Sequence, residues 1–185
     1  MKRRKSNDSA DRKYFGAADR LLAAVDDILG GTRDPRVMFS EFSRLLESEF
    51  EIRKGFLALR EGDQTRFLAV ASWKQDGARR NLSLRLPKGP SLFEKVAESG
   101  QIYSENFAEL FDGNLIERRL LLDDDTVSFM LRPLKRDGRV VALLGYSSDV
   151  PDAFETIQEG MIDAAFDRLA LCLGRLLAEA TPTSP

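Results

Sequence analysis

The chain has 185 residues, 43% of them apolar and 31% charged, with a formal net charge of −2. That is the length of one domain with enough apolar side chain for a core, and the near-neutral charge argues against a dedicated nucleic-acid binder. No histidine and one cysteine, Cys172, are present, which excludes Ser-His-Asp and Cys-His catalysis, histidine-ligated zinc or haem, CxxC redox pairs and internal disulfides.

Residues 1–13 carry six basic and two acidic side chains. Residues 1–15 read as a solvated basic tail, with anionic lipid or RNA as the alternative contact. No apolar region follows as a secretory signal would require, and no window reaches 18 consecutive apolar residues, so no membrane span is expected. A single cysteine fits a reducing cytoplasm. One domain is expected over 16–178, with 179–185 as a C-terminal tail.

From Gly16, the residues Ala17, Leu21, Val25 and Ile28 fall on one helical stripe that Gly30-Gly31 ends. Asp34 and Pro35 write the N-cap and first position of a second helix, with Met38, Phe42 and Leu45 at helical spacing. The period then changes. "RKGFLALR" and "RFLAVASW" are short apolar runs joined by "EGDQT", a hairpin. "NLSLRLP" alternates, with Leu82, Leu84 and Leu86 on one side, and reads as a half-buried strand ended by Pro87.

Ser91 and Glu94 form an S-x-x-E capping box for a short helix that Gly100 closes. "QIYSEN" is a brief strand, and residues 107–125 are one or two irregular helical turns leading into an acidic loop. "SFMLRPLKRDGRVVALLGYSS" is a hairpin around Asp137-Gly138, its apolar strands central in a sheet. Asp152 and Glu155 are read as the start of a last helix reaching Leu177. Strands in the middle with helices at both ends make an α+β domain: a mostly antiparallel sheet of five to six strands with helices on both faces.

Neither GxxxxGK[ST] nor a strand-borne GxGxxG occurs. Two stretches, "LRLPKGPSLFEKVAESGQIY" and the closing hairpin with Pro133-Leu134 and Gly138, resemble a GAF domain, the small-molecule sensor fold of signalling proteins, related to PAS. The resemblance runs from about Leu21 to Leu177. It implies a ligand pocket between the sheet and residues 88–125, with Phe93, Phe107, Phe111 and Leu115 above and Trp73, Leu84, Phe129 and Tyr146 below. The same aromatics would equally serve as core filling. Arg118 and Arg119 could clamp a carboxylate or phosphate, the other reading being a solvated helix edge paired with Glu117 or the aspartates.

The specialised branches fail residue by residue. The cyclic-nucleotide signature is absent, Cys172 lies on the last helix rather than where a bilin attaches, and free-methionine-sulfoxide reductases use a set of cysteines. Asp123, Asp124 and Asp125 lack metal-ligand spacing and read as an acidic loop. On the last helix Ile162, Leu169 and Leu176 repeat every seven residues, and with Leu21 and Val25 they are the expected seam of a homodimer. The expectation is a non-enzymatic sensory or regulatory module that binds a small molecule, dimerises and signals through a partner protein. The alternatives are a ligand-free dimerisation scaffold or a free-methionine-sulfoxide-reductase-like enzyme. No cofactor is identified.

Overall fold

A computed structural model describes residues 8–62, 66–87, 89, 91–155 and 163–180, with the backbone alone for 8–18 and 49. The elements run α1 (Asp8–Gly31), α2 (Pro35–Glu49), β1 (Lys54–Arg60), β2 (Phe67–Lys74), β3 (Arg79–Arg85), α3 (Leu92–Ser99) and β4 (Tyr103–Glu105). A 3-10 turn (Ala108–Leu110), α4 (Leu115–Leu121), β5 (Ser128–Arg136), β6 (Arg139–Ser148) and α5 (Asp163–Ala180) complete the chain. The six strands form one antiparallel sheet in the order β3-β2-β1-β6-β5-β4.

Local signals explain most of these boundaries. Asp34 accepts from Arg36 N at the start of α2, and Pro35 follows where its missing N–H loses nothing. The β5–β6 turn holds Asp137 at φ 51° and Gly138 at φ 76°, the two positive values that a type I′ hairpin requires. That hairpin lies late in the chain because β6 completes the centre of the sheet, pairing β1 on one side and β5 on the other.

Three elements depart from expectation. Helix α1 begins at Asp8, eight residues before Gly16. Asp152 adopts φ 58°, a turn conformation outside the extended range of an N-cap, and α5 is described only from Asp163. Strand β3 is exposed on both faces, with Leu84 37% exposed, instead of half-buried. A bulge opposite Ala69–Ala71 breaks its alternation, and among the described residues no helix makes extensive contact with it.

The sheet has a core on each side. α1, α2 and α5 cover one face with Phe39, Phe42, Leu57, Trp73, Tyr146, Phe166 and Leu169; α3, the 3-10 turn and α4 cover the other with Phe56, Phe93, Val96, Leu121, Phe129 and Leu143. Two glycines let aromatic rings lie flat on the central strands. Gly55 is paired with Tyr146 and Gly145 with Phe56, and a Cβ at either would meet the partner's ring at 2.5 or 2.1 Å. Each face thus receives one ring from a cross-strand aromatic–glycine pair.

Leu21, Val25 and Leu169, expected at a seam between subunits, are instead within 2% of full burial inside this chain. α1 lies across α2 and α5, so α5 needs one apolar face for the sheet and another for α1. Leu176 is half-buried at the margin of that core, and Ile162 lies outside the described residues. Trp73 and Tyr146 are corrected in the same way. Both sit on the three-helix face, where Tyr146 stacks on Phe39 and shares a 2.9 Å hydrogen bond with Ser43, so neither can line a pocket beneath α3 and α4. Burial pushes the Tyr146 phenol well above its ordinary pKa, so it stays neutral.

Candidate functional site

The segment from α3 to α4 lies over the sheet as a lid, and its placement begins with capping. Ser91 Oγ accepts from Glu94 N at 3.0 Å, and Gly100 ends α3 in the left-handed conformation. Asn114 starts α4 with its side chain accepting from Ile116 N and Glu117 N, while Glu117 returns a bond from Asn114 N.

Glu117 does more than cap its own helix. The carboxylate is 1% exposed and also accepts from Leu92 N at 3.2 Å and Phe93 N at 3.0 Å, the first two amides of α3. The buried carboxylate is thereby satisfied by three backbone donors, two of them at the positive end of α3. The other end of α4 is held by Lys54 of β1. Its ammonium donates to Arg119 O at 2.8 Å, Leu122 O at 2.9 Å and the Asp123 carboxylate at 2.9 Å. Burial lowers the Lys54 pKa, an effect that the bond to Asp123 opposes. Burial would raise the Asp123 carboxyl, but the hydrogen bonds from Lys74 and Lys54 outweigh it and hold the group below its usual range.

Beneath the lid, side chains occupy the space expected for a ligand. Phe93 stacks on Phe56 with ring centres 4.9 Å apart, and Phe129, fully buried, meets Phe111 edge-on at 5.5 Å and stacks with Tyr103 at 6.0 Å. A void bounded by Phe67, Leu86, Ser91 and Phe93 measures about 20 Å³, room for about one water. Phe93, Phe111 and Phe129 therefore meet as expected, but as packing. Phe107 is 58% exposed and points away from the interior, and Leu84 lies out on β3.

Arg118 goes elsewhere. It lines an open basin of about 970 Å³ on the outer side of α4, with Lys74, Arg119, Glu109, Asp124 and Asp125 among the other walls. Both signs of charge are present, and Arg118 and Arg119 form no ion pair among the described residues. A larger groove of about 1390 Å³ runs between α5 and the hairpin ends, lined by Leu59, Leu68, Val70, Arg136 and Leu177. Among the described residues no three Cys, Asp or Glu side chains converge as metal ligands.

The role that sequence reasoning missed is that of Glu117, read as one possible partner of exposed arginines. The signal was available: Asn114-x-x-Glu117 is a capping box. Lys54, at the first position of an apolar strand, carried no comparable mark.

No family model and no curated protein matches the chain. Solved structures do. The GAF domain of nlh2 from A. aeolicus, in an inactive state, is 18% identical, with 92% of this chain and 99% of that chain covered and a TM-score of 0.62. The GAF domain of a phosphoenolpyruvate-protein phosphotransferase from Coxiella burnetii is 15% identical over 89% and 97%, with a TM-score of 0.69. Free methionine-R-sulfoxide reductase from Neisseria meningitidis, solved with its substrate, is 12% identical over 98% of each chain, with a TM-score of 0.65. At these identities the likeness is one of fold, and the fold is that of a GAF domain.

Proposed function

We propose that this GAF-fold chain is a non-enzymatic sensory or regulatory module that reads a small polar ligand at the basin outside α4. The observation that carries the reading is the placement of Arg118 and Arg119. Among the described residues they have no ion-pair partner, and they line an open concave surface that also offers carboxylates, while the interior beneath the lid is filled by Phe56, Phe93 and Phe129. Guanidinium groups facing carboxylates across a basin suit a carboxylate- or phosphate-bearing ligand, and a zwitterion could use both signs. A homodimer belongs to the proposal. With Leu21, Val25 and Leu169 inside, Leu171 is exposed on α5, and Leu22 and Leu176 are among the partly buried apolar side chains at the margin of α1 and α5. The module would act in the cytoplasm and pass its state to a partner protein.

The fold also serves free methionine-R-sulfoxide reductases, so catalysis is the competing reading. Cys172 argues against it. The thiol is half-buried on α5, against the three-helix core, with the sheet between it and the lid.

A thermal-shift panel of amino acids, dicarboxylates and nucleotides separates the cases. A ligand at a hundredfold excess over Kd stabilises by about 2.7 kcal/mol, which is a rise of roughly 5–11 °C for a domain of this size. At least one carboxylate or phosphate class should give that rise, and Arg118→Ala should abolish it. A flat panel favours the scaffold reading, and turnover of methionine sulfoxide that fails in Cys172→Ala overturns the non-enzymatic one.

A further inference from the structure

We propose that the free edge of β3 takes an extended segment of a partner protein, acidic at both ends and apolar between, as an added antiparallel strand. Among the described residues β3 is the last strand of the sheet, paired with β2 on one side only. Its seven residues, Arg79–Arg85, span roughly 23 Å at about 3.3 Å per residue, long enough for strand addition. The opposite edge, β4, has three residues, Tyr103–Glu105.

Backbone groups face the open side. Leu86 N donates to Phe67 O and Ala78 O accepts from Lys74 N, so those residues turn toward β2. Alternation along the strand directs the N–H and C=O of the adjoining Arg85 and Arg79 the other way. Six of the seven side chains are exposed, and only Leu82 is half-buried.

The side chains choose the occupant. The strand reads Arg79, Arg80, Asn81, Leu82, Ser83, Leu84, Arg85, basic at its ends and apolar within, with no acidic residue. Arg79 pairs with Glu41 and Arg85 with Glu61, whereas Arg80 makes no ion pair among the described residues. A second copy of β3 in antiparallel register would set Arg79 against Arg85. A segment with carboxylates opposite Arg85, Arg80 and Arg79 and β-branched residues opposite Leu84 and Leu82 satisfies every position. The inference stands apart from the ligand reading, because the basin lies at α4.

The probe is the fluorescein-labelled peptide EVTVTEE, which sets those residues in antiparallel register, measured by fluorescence anisotropy on the full chain. EVPVPEE keeps the charge but cannot donate as a strand, and KVTVTKK reverses the sign. EVTVTEE should bind, with affinity reduced at least tenfold by Arg80→Glu, by the proline substitutions and by the lysine exchange. Amide exchange at Arg79 and Arg85 should slow in the complex. Arg80→Ser, which adds no charge, should give a smaller loss in the same direction, and circular dichroism establishes that both variants fold. Absence of binding at millimolar peptide overturns the proposal. Equal binding of EVPVPEE overturns strand addition in favour of plain charge attraction. Tighter binding of a thymidine oligonucleotide with the same Arg80 dependence reassigns the surface to nucleic acid and overturns it as well.

Discussion

Removing the Glu117 carboxylate tests how the lid is held. In Glu117→Ala the amides of Leu92, Phe93 and Asn114 lose their acceptor, which lies 3.0–3.2 Å away in the native chain. Asn114 is half-buried and near solvent, so water can replace the carboxylate there. Leu92 and Phe93 are 3% and 2% exposed, and their donors would be left unsatisfied at about 2 kcal/mol each. The expected loss is thus about 4 kcal/mol, part of which is the carboxylate's interaction with the positive end of α3. For a domain of this size that is roughly an 8–16 °C fall in Tm. Glu117→Gln keeps the volume and one acceptor but turns an amide NH₂ toward backbone donors, so it should recover about half at most. Urea denaturation followed by circular dichroism gives the free energies, and hydrogen exchange at Leu92 and Phe93 gives the local effect. A Glu117→Ala protein within about 1 kcal/mol of wild type, with both amides still protected, would refute the reasoning.

Two further expectations concern the other end of the lid and the helical face. Asp123 has a folded pKa below its unfolded value, so its stabilisation is complete above about pH 4 and is lost as pH falls through the folded value. Asp123→Asn should cost about 1–2 kcal/mol at pH 7, after allowance for a side chain that is partly in solvent, and the gap to wild type should close in acid titrations. A gap that stays constant from pH 7 to pH 3 contradicts this. Leu169→Glu places a carboxylate in the core beside α1 and should unfold the chain, whereas Leu171→Glu, at a side chain 42% exposed, should leave it folded. Sedimentation velocity on Leu171→Glu then reads assembly: a folded monomer from a dimeric wild type supports the outer face of α5 as the seam, and an unchanged dimer removes it.

What could be read from the sequence was local. Asp137-Gly138, Asp34-Pro35 and Ser91 with Gly100 are decided by the chemistry of a few adjoining residues, and each was legible before any coordinates. Facing was not. β1, β5 and β6 are buried on both sides, so their side chains show no polar face to orient them, and Tyr146 could be assigned to either layer until Gly55 opposite it came into register. The leucines of α5 misled for a related reason. A helix wedged between its own sheet and its own α1 carries the same wide apolar stripe as one wedged between its sheet and a second copy. The candidate site split along this line. Phe93 and Phe129 were placed on the lid side, but whether aromatics enclose a cavity or stack to fill it depends on sub-ångström packing that composition does not encode.

The lid is fastened by two buried ionic groups at opposite ends of α4, and this bears on where a ligand can act. Entry beneath α3 and α4 requires Phe93 to leave Phe56 and the Glu117 contacts to part, because those bonds tie α4 to the first turn of α3. An opening cost of about 4 kcal/mol, for instance, would leave the open state populated at about one part in a thousand. A ligand specific for that state then binds about a thousandfold more weakly than its contacts alone would allow. The basin imposes no such penalty, since Arg118 and Arg119 are exposed in the closed state. Under such a cost an interior ligand must reach micromolar intrinsic affinity merely to be felt at millimolar concentration, a penalty that a ligand of the proposed basin would not meet. Glu117→Ala removes those contacts and lowers the cost of opening while leaving Arg118 in place, so a ligand that gains affinity in the variant identifies itself as an interior one.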